Sequence, residues 1–140
     1  KSAADSLGKL LIRYAEAIRF ESNDFLVIPV PLARERERKR GFNQAELISE
    51  TFANHFKLPL ATASLIRHKN SPPQSEIKNF EERRLNVKNC FSVQNGGEFK
   101  GKHIILIDDV TTSGATLYEA ASILKAYGAK KIIAFTAAKT

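Results

Sequence analysis

The sequence predicts an α/β domain built on a mainly parallel sheet. Apolar runs at residues 25–28, 104–107 and 132–138 are typical of buried strands. Helical patterns with one apolar face lie between them, over about 43–56 and 115–127. Because parallel strands are joined by crossovers that are usually helical, this alternation indicates a sheet flanked by helices.

The first elements follow from the spacing of apolar residues and from two prolines. Apolar side chains recur at helical spacing from Leu7 to Ile18, which predicts an amphipathic N-terminal helix. The apolar run at 25–28 then predicts a strand. Pro29 and Pro31 fix the end of that strand, because proline cannot donate a hydrogen bond to a neighbouring strand.

The middle of the chain has weaker signals. The apolar pattern at residues 58–66 is weaker and predicts a second strand. Residues 67–78 form a polar, basic stretch without periodicity. A loop of that length within one domain indicates either a functional segment or a mobile one. We expect a short helix at 80–87, a short strand at 91–93 and a turn at 96–97.

The C-terminal third has the clearest pattern. The run at 104–107 is apolar at every position, as in a strand that is covered on both faces. Gly128 is expected to end the helix at 115–127, since glycine commonly follows the last helical turn. The run at 132–138 closes the sheet.

Composition limits the kind of protein. The 140 residues fit one domain with one core, so we expect a single domain over 1–140. No apolar run is long enough for a membrane span, and the lone Cys90 cannot form an internal disulfide, so we expect a soluble cytoplasmic protein. Cys90 is expected to be a buried thiol, because free cysteines are frequently buried. The absence of methionine predicts a part of a longer protein. The net charge of +7 suits phosphate-bearing partners or simple solubility.

Residues 104–116 carry the chemistry. An apolar strand leads into Asp108 and Asp109, and small and hydroxyl-bearing residues then precede a helix, namely Thr111, Thr112, Ser113, Gly114, Ala115 and Thr116. Amides and partial positive charge at a helix start bind phosphate, and carboxylates accept hydrogen bonds from vicinal hydroxyls or hold Mg²⁺, here through water. The order of these groups predicts a sugar-phosphate site.

Two other interpretations of residues 108–116 compete with a sugar-phosphate site. An ordinary turn with an N-cap explains one hydroxyl residue but not four in six positions. Adjacent aspartates after a strand are also found in phosphoryl-accepting regulators. The segment lacks the lysine-containing P-loop pattern of nucleoside triphosphatases, so it suits a phosphate monoester.

The segment 104–117 resembles the signature of type I phosphoribosyltransferases, which bind 5-phosphoribosyl-1-pyrophosphate (PRPP). Three further motifs are similar to the competence protein F (ComF) family: Val27-Ile28-Pro29-Val30-Pro31-Leu32, the block from Lys39 to Leu47 that contains Arg-Gly-Phe-Asn-Gln, and Pro73-Gln74 followed by Glu82-Arg83-Arg84-Leu85-Asn86-Val87. The resemblance covers roughly 25–138. Members of this family often carry a zinc-binding N-terminal segment, which these 140 residues do not include.

The resemblance implies a type I fold with a flexible hood loop and a role for each matching residue. The loop at 111–116 would hold the 5-phosphate, while Asp108 and Asp109 would meet the ribose and Mg²⁺. Residues Leu32, Ala33 and Arg34 would face the pyrophosphate, and Arg40 near the pocket edge joins them. A hood loop at 67–84 would supply cations, with Lys69 and Arg84 as candidates.

Two functions remain open from the sequence. The first is transfer of phosphoribose from PRPP to an unidentified acceptor, with release of pyrophosphate. The second is a non-catalytic PRPP-binding module that handles single-stranded DNA during natural transformation. The basic stretches at 34–40 and 69–88 would then contact the DNA strand. The sequence leaves the oligomeric state open, a homodimer included.

Overall fold

The computed structural model describes residues 2–21, 24–32, 38–39, 41–68, 90–94, 98–111 and 114–139. Within these ranges the helices and strands follow in the order α1 (Ser2–Ala17), β1 (Phe25–Pro29), α2 (Gln44–Phe56), β2 (Leu65–Arg67), β3 (Phe91–Val93), β4 (His103–Thr111), α3 (Ala115–Ala126) and β5 (Lys131–Lys139).

The central sheet is parallel, with β4 between β1 and β5. β1 lies beside the first half of β4, with Phe25 opposite His103 and Pro29 opposite Ile107. β5 pairs with β4 as far as Thr111, which lies opposite Lys139. β4 therefore continues past the end of β1, and its last residues stand at an edge that β1 leaves open.

Alternate residues of β4 enter two separate cores. Ile104 and Leu106 belong to the core under α3 and the β2–β3 pair, whereas Ile105 and Ile107 belong to the core under α1 and α2. All four side chains are completely buried. Because successive strand residues point to opposite faces, only a strand covered on both sides needs an apolar residue at every position.

The two helical layers pack closely on these faces. Phe52 of α2 is fully buried against the face that carries Ile105, and Leu124 of α3 is fully buried against the face that carries Ile104. α1 crosses α2 at Gly8, where an added Cβ would lie 2.9 Å from the Cβ of Thr51. The helices can approach this closely only because position 8 lacks a side chain.

A second, antiparallel sheet is formed by β2 and β3, with Leu65 opposite Val93 and Arg67 opposite Phe91. Leu65 and Phe91 are buried in the core under α3. Cys90, just before β3, is also fully buried, which confirms the expectation of a buried thiol.

The predicted strands at 25–28, 91–93 and 132–138 are confirmed, as are the helices at 43–56 and 115–127. The N-terminal helix is also confirmed, and it extends over Ser2–Ala17. The expected single domain over 1–140 stays a prediction.

Three expectations differ from the structure. The weak strand predicted at 58–66 is reduced to an isolated bridge between Leu60 and Val27 of β1 and to the short β2, which begins at Leu65. β4 runs on to Thr111, although polar residues follow Ile107, since β5 pairs with them. Arg67, predicted to open the polar loop, is instead the buried last residue of β2.

The helix predicted at 80–87 and the turn at 96–97 lie outside the described residues. In the described part of the chain, no helix combines the length and apolar character needed to cross a membrane.

Candidate functional site

The two aspartates lie on β4, at the edge where the strands of the parallel sheet end. Asp108 pairs in register with Thr136 of β5, one position beyond the residue of β4 that faces the end of β1. The Val30 amide donates to the Ile107 carbonyl at 2.8 Å and fastens the chain after β1 to this point. In open α/β sheets ligands bind at this edge, so the position suits a binding site.

The Asp108 carboxyl is held in an environment that disfavours its charge. Burial and the adjacent negative charge of Asp109 raise the pKa of Asp108 to about 8, and the positive charge of Arg67 partly opposes this rise. The Asp109 amide also donates to Asp108 Oδ1 at 2.9 Å, which favours the ionised form. A cation or a hydrogen-bond donor arriving here would relieve the unfavourable charge.

The start of α3 lies close in sequence to the end of β4 and begins at an unusual residue. Gly114 is the N-cap with a φ of 83°, a left-handed conformation that L-residues with side chains rarely adopt. Because glycine has no side chain, it supplies no side-chain cap, and in the described part of the chain no atom other than those of its chain neighbours and of the α3 backbone lies within 4 Å of where a Cβ would be. Ala115 and Thr116, both predicted to bind phosphate, are the first two residues of α3. Ala115 is buried and Thr116 is half-buried.

The Arg-Gly-Phe-Asn-Gln block has a structural role at this edge. Asn43, only 7% exposed, caps α2 by accepting a hydrogen bond from the Ala45 amide at 3.1 Å. The same side chain donates through Nδ2 to the Val30 carbonyl at 3.3 Å. The Asn43 side chain therefore joins the start of α2 to the segment that follows β1. Leu32, a predicted pyrophosphate-side residue in that segment, is half-buried.

Arg67 is a residue that the sequence reasoning missed. Its guanidinium carbon lies 5.4 Å from the centre of the Phe91 ring, and its side chain is 9% exposed. The Nε atom is buried, and among the described residues it has no hydrogen-bond partner. Burial raises the pKa of the Cys90 thiol, and the charge of Arg67 opposes that rise too. An arginine at the end of an otherwise apolar strand was the available signal.

Several predicted site residues lie outside the described part of the chain. These are Thr112 and Ser113 of the phosphate loop, Ala33, Arg34 and Arg40 on the pyrophosphate side, and Lys69 and Arg84 of the hood loop. Thr111 is the last residue of β4. The structure thus brings Asp108, Asp109, Gly114, Ala115 and Thr116 to one edge of the sheet and leaves the cationic candidates as predictions.

The arrangement can hold a ligand that carries both hydroxyl groups and a phosphate. Carboxylate oxygens accept hydrogen bonds from hydroxyls, and the amides at a helix start bind phosphate oxygens. Among the described residues, no group of three or more histidine, cysteine, aspartate or glutamate side chains is placed to hold a metal ion.

Comparison with known proteins places this geometry among relatives. Residues 39–140 match the family described as "Phosphoribosyl transferase domain". "Competence protein F" of Haemophilus influenzae is 36% identical over 76% of this chain and 46% of its own length. "Competence protein ComFC" of Bacillus subtilis is 38% identical over 84% of this chain and 45% of its own length. The chain thus spans about half the length of these curated relatives.

Solved structures show the same fold. The allosteric regulatory enzyme of purine biosynthesis superposes on 97% of this chain and 25% of its own, with a TM-score of 0.63 and 21% identity. Adenine phosphoribosyltransferase from Saccharomyces cerevisiae superposes on 100% of this chain and 70% of its own, with a TM-score of 0.60 and 14% identity. At these identities the likeness concerns the fold.

Proposed function

Because the chain belongs to the phosphoribosyl transferase domain family, we propose that it binds PRPP and transfers phosphoribose to an acceptor with release of pyrophosphate. The observation that carries the proposal is the juxtaposition of Asp108 and Asp109 with the glycine-capped start of α3. The transferase resides in one domain over 1–140.

The 5-phosphate is assigned to the segment from Thr111 to Thr116. Gly114 has no side chain, so a phosphate can approach the first turn of α3 without steric obstruction at that residue. The positive end of the helix dipole favours the anion, which explains why the segment needs no lysine. Hydroxyls at Thr111, Thr112, Ser113 and Thr116 complete this assignment.

The ribose and a Mg²⁺ ion are assigned to the aspartate pair. Two aspartate side chains match the preference of Mg²⁺ for oxygen ligands. Burial and the charge of Asp109 raise the pKa of Asp108, and a bound cation would favour its ionised form. When bound, the ion would neutralise charge on the pyrophosphate that leaves. Asp108 and Asp109 would hold it, directly or through water, and orient the ribose hydroxyls.

The reaction breaks the bond between C1 of ribose and a pyrophosphate oxygen, and that oxygen keeps the bonding electrons. The acceptor donates an electron pair to C1 and then loses a proton. Positive charge develops on the ribose ring between these events, next to the aspartate pair. Pyrophosphate is assigned to Leu32, Ala33, Arg34 and Arg40, with Lys69 and Arg84 closing over it.

Pyrophosphate release from PRPP, measured with Mg²⁺ across a panel of nitrogen bases and amines, tests this proposal. Release should depend on one acceptor and should disappear in Asp109→Asn. The exposed Asp24→Asn is the matched control, because it also removes one carboxylate. Absence of a thermal shift with PRPP and Mg²⁺ would refute the binding as well as the reaction.

A second candidate function is a PRPP-binding module that acts on single-stranded DNA. The net charge of +7 favours a polyanionic partner. Two relatives are named competence proteins, and a third, from Escherichia coli O157:H7, is named "DNA utilization protein YhgH" and is 30% identical over 76% of this chain. Salt-dependent oligonucleotide binding without pyrophosphate release from any acceptor would select this function.

A further inference from the structure

A basic crevice opens at the edge of the parallel sheet where the strands begin. It has a volume of about 600 Å³ and is lined by Phe25, Phe56, Lys57, Lys102, His103 and Lys130, among others. The three lysines are exposed at its rim. They are far apart in the sequence. Lys102 and Lys130 precede β4 and β5, which run parallel and begin at this edge, and Lys57 follows the last residue of α2.

This crevice is separate from the site of the aspartate pair. His103 is the first residue of β4, and Asp108 follows five positions later along the same strand. At a rise of about 3.3 Å per residue, the two lie about 17 Å apart, at opposite ends of the sheet. A ligand of the crevice and a ligand of the aspartates can therefore be bound together.

Backbone contacts fix the positions of the lysines. The Lys130 amide donates to the Lys102 carbonyl at 2.8 Å, and the Lys102 amide donates to the Phe99 carbonyl at 3.0 Å. Lys57 ends α2 in a left-handed conformation, with a φ of 56°. The Cα atoms of the three lysines are therefore anchored, and all three residues line the same crevice.

The positive charges are not neutralised within the described part of the chain. Neither of the ion pairs recorded there involves Lys57, Lys102 or Lys130. Asp24 is the single carboxylate among the lining residues of the crevice. The adjacent Lys125 behaves differently, because its Nζ donates to the Lys130 carbonyl at 2.9 Å. The three rim lysines thus repel one another, and an anion between them would relieve that repulsion.

We propose that this crevice binds the backbone phosphates of single-stranded DNA. Lysine ammonium groups act as point charges for phosphate and need no particular base, which suits a strand of any sequence. Among the described residues, the lining offers no serine, threonine, asparagine or glutamine side chain to recognise a sugar or base. The proposal rests on the second candidate function and assigns the strand to a different surface from the basic stretches at 34–40 and 69–88.

Fluorescence anisotropy with a labelled oligothymidylate of about 20 nucleotides tests the location. The test variant carries Lys57→Gln, Lys102→Gln and Lys130→Gln. The control carries Lys9→Gln, Arg13→Gln and Arg19→Gln, which also removes three exposed charges. The two variants match in backbone as well, because Arg19 and Lys57 both have a φ of 56°.

The expected result follows from counterion release. Three lost phosphate contacts reduce the slope of log affinity against log salt by about 2, at about 0.7 per contact with a single strand. Between about 50 and about 200 mM salt, the unmodified protein should lose about 20-fold more affinity than the test variant. The control should keep the original slope, and the thermal shift with PRPP should persist in both variants.

Several outcomes would overturn the proposal. They are an unchanged slope in the test variant, an equal loss in the control, or displacement of the oligonucleotide by an equimolar thymidine mononucleotide. If the unmodified protein binds no oligonucleotide, the second candidate function fails with the crevice assignment. The PRPP thermal shift is read separately, so the transferase proposal stands or fails by itself.

Discussion

Replacing Asp108 by asparagine should make the folded protein less sensitive to rising pH. The side chain is partly buried beside Asp109, and its pKa rises from 3.8 to about 8 mainly because burial disfavours the charge. Asparagine keeps an oxygen that can accept the hydrogen bond from the Asp109 amide, now 2.9 Å from Asp108 Oδ1. The substitution therefore removes the titration and retains the local contact.

The magnitude follows from proton linkage. Between the unfolded pKa near 3.8 and the folded pKa near 8, the folded protein binds a proton at Asp108 that the unfolded chain has released. The stabilising contribution is complete below the lower value and is lost as the pH rises through the upper one. The loss reaches about 1.36 kcal/mol per pH unit, or about 2.7 kcal/mol between about pH 5 and about pH 7.

Urea unfolding at a series of pH values, with chelator present, measures this effect. The free energy of unfolding of the unmodified protein, minus that of Asp108→Asn, should fall by about 2.7 kcal/mol across that interval. Asp24→Asn controls for the loss of one negative charge. A difference between protein and variant that does not change with pH would refute the argument that Asp108 is folded in its neutral form.

Three other substitutions test separate features. Gly114→Ala should cost about 1–2 kcal/mol from its positive φ and weaken PRPP binding, whereas Gly114→Asn should cost less; equal effects by calorimetry would contradict this. Gly8→Ala should lower the urea midpoint, because overpacking against Thr51 costs about 1–3 kcal/mol and outweighs a gain in helix propensity of about 1 kcal/mol. A raised midpoint would show that α1 and α2 separate easily. Arg67→Met removes a positive charge that lowers the pKa of Asp108, so stability should go on falling to a higher pH than in the unmodified protein; an unchanged upper limit would exclude that coupling.

The elements were predictable where a single physical cause decided them. Residues 104–107 are all apolar because both faces of β4 are covered, and that pattern is visible without a structure. The cap of α2 has an equally local cause, because the Asn43 side chain accepts a hydrogen bond from the Ala45 amide two residues later. The continuation of β4 to Thr111 was hidden, because pairing with β5 overrides the polar character of those residues.

The site was predictable in part for the same reason. Asp108, Asp109 and Gly114 form one continuous motif, so their neighbourhood follows from the order of the chain. The burial of Arg67 depends on β3, which follows much later in the sequence. The crevice of Lys57, Lys102 and Lys130 depends on the register of three strands. Contacts between distant segments leave no local pattern to detect.

Because both faces of β4 are covered, ligand binding should affect the slowest amide hydrogen exchange in the molecule. Local opening exposes backbone amides at the periphery, whereas a central strand with covered faces on both sides exchanges its amide hydrogens through global unfolding. Ile104 to Ile107 form such a strand, and Asp108 follows without a break. A ligand held at the aspartates would slow exchange of these interior amides through its contribution to global stability. Their deuterium uptake would therefore report the occupancy of a site that lies beyond them.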